Sequence, residues 1–358
     1  MFLSKLITFP VQSLVNNIYL THILVIKRIK GEIRLSFEQL LFEQYGIRSE
    51  EPIMVDNIKG YKKGEYVYFI IFAENKEIIH MEQATLAYFL AEQFSDYIAI
   101  PIPNVQGEWF TSLNESAYIV LQIKINDWSR RLAGGEDLAQ FHQLGTTYNY
   151  EPQTISSYGQ WRTLWINKLT YFEKKAETTT SSSYSKWNEI VNDALPYIIG
   201  VSENAIQYMQ ESEQERRFHE NDQGSITFNR YYDQLERPFL WPTDLVYDHP
   251  VRDLAEKIRY MILNRQGHQD VSKFLHEYQA MRPLSVFSWR LLYARLLYPV
   301  HIFDCMDTGF TSENPDDYAN DLENLLYGQD HYESFLKNLY EMAGTDINTL
   351  RLPVLHWL

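Results

Sequence analysis

Residues 244–255 read Asp244-Leu245-Val246-Tyr247-Asp248-His249-Pro250-Val251-Arg252-Asp253-Leu254-Ala255; the stretch opens as a short extended segment and turns helical at Pro250. From there Val251, Leu254, Ala255, Ile258 and Ile262 recur at the spacing of one helix face, which predicts a helix over Val251–Leu263. Pro250 stands where a first-turn proline is tolerated, and Asp248 is placed to serve near the N-cap. Further helical patterns cover Val271–Gln279, Ser285–Tyr298, Tyr318–Leu326 and Tyr332–Ala343 downstream. Upstream, helices are predicted over Asp137–Gly145, Gln160–Lys174 and Trp187–Glu211, the last with a break near Pro196 and Gly200. The Thr/Ser run Glu177–Ser185 reads as a surface loop, and Ile226–Val246 as short-stranded and irregular.

Before about residue 126 the pattern is different. Ile18–Lys27 is apolar and β-branched. Pro52–Ile58 and Glu65–Ala73 read as strands joined by the turn Lys59–Gly64, and Tyr97–Ile102, Glu108–Thr111 and Ala117–Ile125 as further strands. Helices are predicted at Leu35–Tyr45, with Ser36 as N-cap and Gly46 at its end, and at Met81–Gln93. The expected fold is α+β with two lobes: a small strand-rich lobe over residues 1–125 and a larger helical lobe over 126–358, joined near Gln122–Trp128. A cleft between such lobes is the usual place for a ligand.

Composition narrows the classes. The 358 residues are 45% hydrophobic and 22% charged, the balance of a folded soluble protein. Lys and Arg number 32 against 47 Asp and Glu, a net charge of −15, which disfavours broad nucleic-acid binding. Aromatics reach 15%, including 26 Tyr and 8 Trp, a composition suited to a Tyr-rich core or an assembly surface. The single cysteine, Cys305, excludes an intrachain disulfide and a cysteine-built zinc site. Gln12, Asn16, Asn17 and His22 interrupt the apolar N-terminus, so no membrane span or secretory signal is expected. The chain contains no P-loop, no Rossmann glycine fingerprint, no His-Glu-x-x-His and no nucleophile elbow.

Three segments carry a family likeness: Leu138-Ala139-Gln140-Phe141-His142, the Asp244–Ala255 stretch, and Tyr278–Ser285 followed by Leu291–Pro299. Together they resemble the kinase-like spore coat proteins of the CotS group, and most of all its YutH branch, within the protein-kinase-like, aminoglycoside-phosphotransferase-like superfamily. The resemblance spans roughly residues 50–340. It implies a bilobed kinase-like fold, a role in bacterial sporulation, synthesis in the mother-cell cytoplasm, a place in the spore coat, and other coat proteins as partners.

It also sets a chemical test. Kinase-type phosphoryl transfer needs a strand lysine on the phosphates, a helix glutamate to orient it, a catalytic-loop Asp, an Asn for magnesium, and a second metal-binding Asp. The strand Glu65–Ala73 has no lysine; Lys62, Lys63 and Lys76 only flank it. Glu82 stands where the orienting glutamate is expected, though a solvated carboxylate at a helix start reads the same way. In the catalytic-loop position Phe228 replaces the His, Arg230 the Asp and Leu235 the Asn. A guanidinium accepts no proton and a leucine ligates no magnesium. Asp233 is a weak stand-in for the catalytic acid. Asp244 matches the metal-binding Asp and equally reads as a loop carboxylate capping backbone amides. The resemblance gives Asp253 the structural role of bracing the catalytic loop. Arg252 reads as a surface charge or a carboxylate's partner, and His142 as a hydrogen-bonded core histidine. These departures predict a pseudokinase-like scaffold without a cofactor. The alternative is a divergent small-molecule or protein kinase using Mg-ATP in the cleft, with Asp233, Asp244 and a relocated lysine.

Overall fold

The structure, a computed structural model, describes residues 36–93, 97–125, 133–179, 185–350 and 352. The strand-like Ile18–Lys27 and residues 126–132, part of the expected join, lie outside them. Helix α1 (Phe37–Tyr45) is capped as its sequence requires. The Ser36 hydroxyl accepts from the Gln39 amide, the Gln39 side chain accepts from the Ser36 amide, and Gly46 ends the helix at φ 66°.

A six-stranded antiparallel sheet follows: β1 (Glu51–Val55), β2 (Ile58–Lys63), β3 (Tyr66–Phe72), β4 (Ile100–Ile102), β5 (Phe110–Leu113) and β6 (Ser116–Lys124), in the order β1-β2-β3-β6-β4 with β5 also paired to β6. Helix α2 (Glu77–Gln93) joins β3 to β4. One expectation is overturned here. Lys59–Gly64, read as a turn, is mostly strand, because β2 pairs with both β1 and β3. The first turn is instead Asp56-Asn57, both at positive φ (49° and 63°), and Gly64 (φ 58°) with Glu65 makes the second. Asp and Asn tolerate the left-handed backbone that a tight hairpin needs. Tyr61 points into the core while its lysine neighbours stay at the surface, which holds β2 in register.

The alternation along β3 builds two cores. Tyr66, Tyr68 and Ile70 pack with Leu40, Leu41 and Tyr45 of α1. Val67, Phe69 and Ile71 face the other way, onto Leu121, Ile123, Phe239 and Trp241.

Compactness divides the chain differently from a boundary at 125/126. The described residues up to Tyr158, together with Gly224–Pro250, form one unit; Gly159–Gln223 with the described residues from Val251 onward form the other. The first, the sheet unit, therefore also holds α3 (Gly135–Gly145) and a hairpin of β7 (Ser225–Phe228) and β8 (Leu245–Asp248). Gly145 lets α3 approach β7: a Cβ there would press on Ser225 Oγ and stand 2.7 Å from the Ile226 amide nitrogen.

The helical unit contains α4 (Trp161–Thr179), α5 (Lys186–Gln214), α6 (Val251–Leu263), α7 (His268–Met281), α8 (Val286–Leu297), α9 (Val300–Thr311), α10 (Ala319–Tyr327), α11 (Gln329–Lys337), α12 (Leu339–Met342) and α13 (Ile347–Leu350). Helix α6 has the predicted bounds. The predicted break in α5 is absent, and the helix runs through Pro196 and Gly200. An interior proline costs about 3 kcal/mol. Burial of Trp187, Val191, Ile198, Ala205, Tyr208 and Met209 on one face outweighs it, at about 1.5–3 kcal/mol for each large side chain. Helix α9 had no sequence forecast: Pro299 before it and Gly309 within it disguise it, and Gly309 is there because a Cβ would enter the Trp187 ring. Inside this unit Glu256 Oε1 binds both Arg259 Nη1 and Arg295 Nη2 at 3.1 Å, all three side chains buried.

Gly145→Ala is expected to destabilise the protein by about 1–3 kcal/mol, since the clash is with backbone that cannot swing away. The urea midpoint measures this; an unchanged midpoint refutes the close approach.

Candidate functional site

The residues singled out for chemistry lie mostly in the sheet unit, on the 16-residue connection Asn229–Asp244 between β7 and β8 and on the elements packed around it. The connection is closed at its base by the Asn229 amide donating to the Asp244 carbonyl at 2.7 Å. Phe228, in the His position, is a core side chain at the end of β7, stacked on Phe141 at 4.9 Å. Arg230 is half-buried, and its carbonyl accepts from the Gln234 side chain. The Gln234 Oε1 accepts from the Tyr232 amide at 2.6 Å, so this loop is stapled to itself. Asp233 adopts the left-handed conformation at φ 63° and its carbonyl accepts from the Glu236 amide. Leu235 is buried, with the Tyr97 hydroxyl donating to its carbonyl at 2.6 Å.

Asp244 is the one buried carboxylate of the set that belongs to this connection. Its Oδ2 accepts from Arg237 Nη1 at 2.9 Å. Burial pushes its carboxyl up to about 6 from an ordinary 3.8, against the pull of the Arg237 guanidinium, and Asp56 adds to the rise. The Asp56 carboxylate, at the tip of the β1–β2 turn, accepts from the Trp241 indole at 2.9 Å. Kinases cover nucleotide phosphates with a glycine-rich loop; the β1–β2 connection here presents a carboxylate, which has the wrong sign for a phosphate.

The face of β3 on this side carries Val67, Phe69 and Ile71 and no cation. Phe69 meets the Trp241 ring edge-on at 4.7 Å and the Phe239 ring at 5.8 Å. Nearby lysines are engaged or exposed: Lys62 pairs with Glu51 at 2.7 Å, Lys59 with Glu38 at 3.4 Å, and Lys63 and Lys76 face solvent. Glu82 is neither a lysine partner nor simply solvated. Its two oxygens accept from the backbone amides of Gln153, Thr154 and Ile155 at 2.8–3.1 Å, which ties α2 to that segment. Next to it, the Gln83 amide donates to the Thr243 and Leu245 carbonyls on either side of Asp244.

His142 is fully buried on α3, beside Phe141, and its carbonyl accepts from the Ser225 hydroxyl at 2.8 Å. Arg252 and Asp253 belong to the first turn of α6 in the helical unit; Asp253 is fully buried, and Arg252 is buried too, so the surface-charge reading of it does not hold. Sequence reasoning missed Arg237, Phe239, Trp241 and Asp56. The signal was Phe239-Leu240-Trp241, three large apolar residues inside a stretch otherwise read as irregular. A solvated loop has no use for such a run.

The donor set fits a magnesium nucleotide poorly. The buried carboxylate is already matched by a guanidinium, no cation faces it from β3, and aromatic rings fill the space beneath that strand. Among the described residues no three His, Cys, Asp or Glu side chains converge on a common metal position.

Residues 38–339 match the profile of the family described as spore coat putative kinase YutH. The chain belongs to that family. Over 348 residues it is 30% identical to the endospore coat-associated protein YutH of Bacillus subtilis strain 168, covering 92% of this chain and 98% of the relative. The fold of this YutH-family chain is similar to that of an aminoglycoside phosphotransferase from Alicyclobacillus acidocaldarius, with a TM-score of 0.60 at 11% identity over 89% of this chain and 99% of the other. A microcompartment-associated aminopropanol kinase gives 0.54 at 10% identity, covering 85% and 97%. An AMP-bound spectinomycin phosphotransferase gives 0.51 at 12%, covering 86% and 96%. The YutH-family chain thus has an α+β, protein-kinase-like fold, and no helix among its described residues is long and apolar enough to cross a membrane.

The Asp244 environment sets a pH dependence. Its folded-state pKa stands above the unfolded value, so folding favours the protonated carboxyl, and this group's contribution to stability falls as pH rises from about 4 to about 6. In Asp244→Asn that slope disappears, which denaturation midpoints across this window will read as a smaller loss of stability with pH than in the parent. Arg237→Ala moves the Asp244 titration, followed by carboxyl carbon NMR, to higher pH; a titration near 4 in the parent contradicts the burial argument.

Proposed function

We infer that the protein is a non-catalytic, kinase-like component of the endospore coat that acts through contacts with other coat proteins. Family membership and the coat-associated relative in Bacillus subtilis support the location. The observation that carries the loss of catalysis is the packing of Phe239 and Trp241 against Val67 and Phe69, where a kinase strand presents its lysine to the phosphates. Arg237 on Asp244, and Phe228, Arg230 and Leu235 in the catalytic-loop positions, act in the same sense. Coat partners and no small-molecule cofactor follow from this reading. The 26 tyrosines suit such contacts, since Tyr brings a large apolar area and a hydroxyl at low entropic cost.

A ligand that binds the native state raises the melting temperature by mass action. Millimolar Mg-ATP is expected to leave the melting temperature unchanged. Stabilisation that disappears in Asp244→Ala would instead establish the divergent-kinase reading, with Asp233 and Asp244 in its active site. In sporulating cells a fluorescent fusion is expected to decorate the spore perimeter; a uniform mother-cell signal argues against a coat component.

A further inference from the structure

At the edge of the sheet formed by β4 and β5, the loop between these two strands is built as a rigid frame. Asn104, 5% exposed, organises it. Its Oδ1 accepts from the Gln106 and Glu108 amides at 2.9 Å, its amide donates to the Glu108 carbonyl at 2.8 Å, and its Nδ2 donates to Glu108 Oε2 at 3.0 Å. Gly107 supplies the positive φ (84°) that the turn requires. The Val105 amide donates to the Gln44 carbonyl at 2.8 Å, which fastens the loop to the end of α1. Trp109 is braced edge-on by Tyr88 at 6.0 Å, and the Tyr88 hydroxyl is itself held by the Pro101 carbonyl.

These elements border a shallow, open depression of about 520 Å³, within the range of about 300–1,000 Å³ of small-ligand sites. Gln44, Asn104 and Glu108 line it together with Trp109 and the residues Phe110–Ser112 of β5. Among the described residues the half-buried Gln44 side-chain amide and Trp109 indole N–H have no hydrogen-bond partner, and only one oxygen of the exposed Glu108 is engaged. Among the described residues no Lys, Arg or His lines the depression, so these residues offer a phosphate or carboxylate no countercharge. A purely apolar ligand would leave the amide and carboxylate unmatched. A flat aromatic face combined with planar amide and carboxylate groups suits a ring with an apolar C–H face and a rim of hydroxyls.

We propose that this depression binds a neutral sugar ring of an oligosaccharide, with Trp109 as the stacking platform and Gln44 and Glu108 as partners of the hydroxyls. The frame is fixed in advance by Asn104, so ordering the loop takes little from the binding free energy. The proposal is independent of the non-catalytic reading, because none of the residues around Asp244 takes part.

The test uses the full-length chain, nitrogen-15 labelled, titrated with maltotriose, cellotriose and tri-N-acetylchitotriose, with the Trp109 indole resonance assigned from Trp109→Phe. At least one sugar is expected to shift that resonance saturably with a Kd of about 1 mM or tighter, and to leave the Trp241 indole unmoved. Gln44→Ala, which removes no hydrogen bond of the fold, weakens binding about tenfold or more, and Trp109→Ala abolishes it. If Trp109→Ala proves unstable, Gln44→Ala decides alone. No movement of Trp109 with any of the three sugars, or an affinity unchanged in Gln44→Ala, overturns the proposal.

Discussion

Beneath β3 the chain covers its own apolar sheet face with its own aromatic side chains. Val67, Phe69 and Ile71 cannot stay in water, and Phe239 and Trp241 are the groups that cover them. Burying two such rings is worth about 3–6 kcal/mol, and ring pairs at these separations add about 0.5–1.5 kcal/mol each. A ligand entering this space must first displace them. Millimolar affinity corresponds to only about 4 kcal/mol, so the internal aromatic pair competes on at least equal terms with a weak nucleotide. The packing also fixes the course of the chain from Phe239 to Asp244, and with it the place of Asp244.

Electrostatics reinforces the same arrangement. A kinase gathers cations around phosphates and carboxylates around magnesium. Here the buried carboxylate Asp244 is matched by Arg237, and the turn carboxylate Asp56 by the Trp241 indole. Glu82 has been turned to another use and closes a nest of three backbone amides. These three carboxylates are all satisfied inside the protein. Satisfied groups of this kind rigidify a fold and leave little charge to offer a ligand.

The helical unit is stabilised by other means. Its long helix α5 survives an interior proline because one face is deeply buried, and the Glu256 pair with Arg259 and Arg295 fills a place where a lone charge would be costly. The depression bearing Trp109 lies at the β4–β5 edge of the sheet, apart from the aromatic plug that seals the face beneath β3.

Local sequence was enough to set the kinds of element and much of their order. The periodicity of Val251–Leu263 marked α6 to the residue, Ser36 and Gly46 bounded α1, and the absence of lysine from Glu65–Ala73 could be read directly. These are local facts, carried by side-chain spacing and by chemistry that a substituted residue cannot perform. The middle strand of the first meander, β2, the continuity of α5 and the existence of α9 were decided in three dimensions, because long-range burial outweighed local turn and breaker signals. The candidate site divides in the same way. Phe228, Arg230 and Leu235, which the family likeness sets in the catalytic-loop positions, were visible in the sequence, but what packs around them was not. Arg237 and Trp241 reach Asp244 and Asp56 only once the β7–β8 connection folds back under β3, and no local pattern encodes a contact across 185 residues.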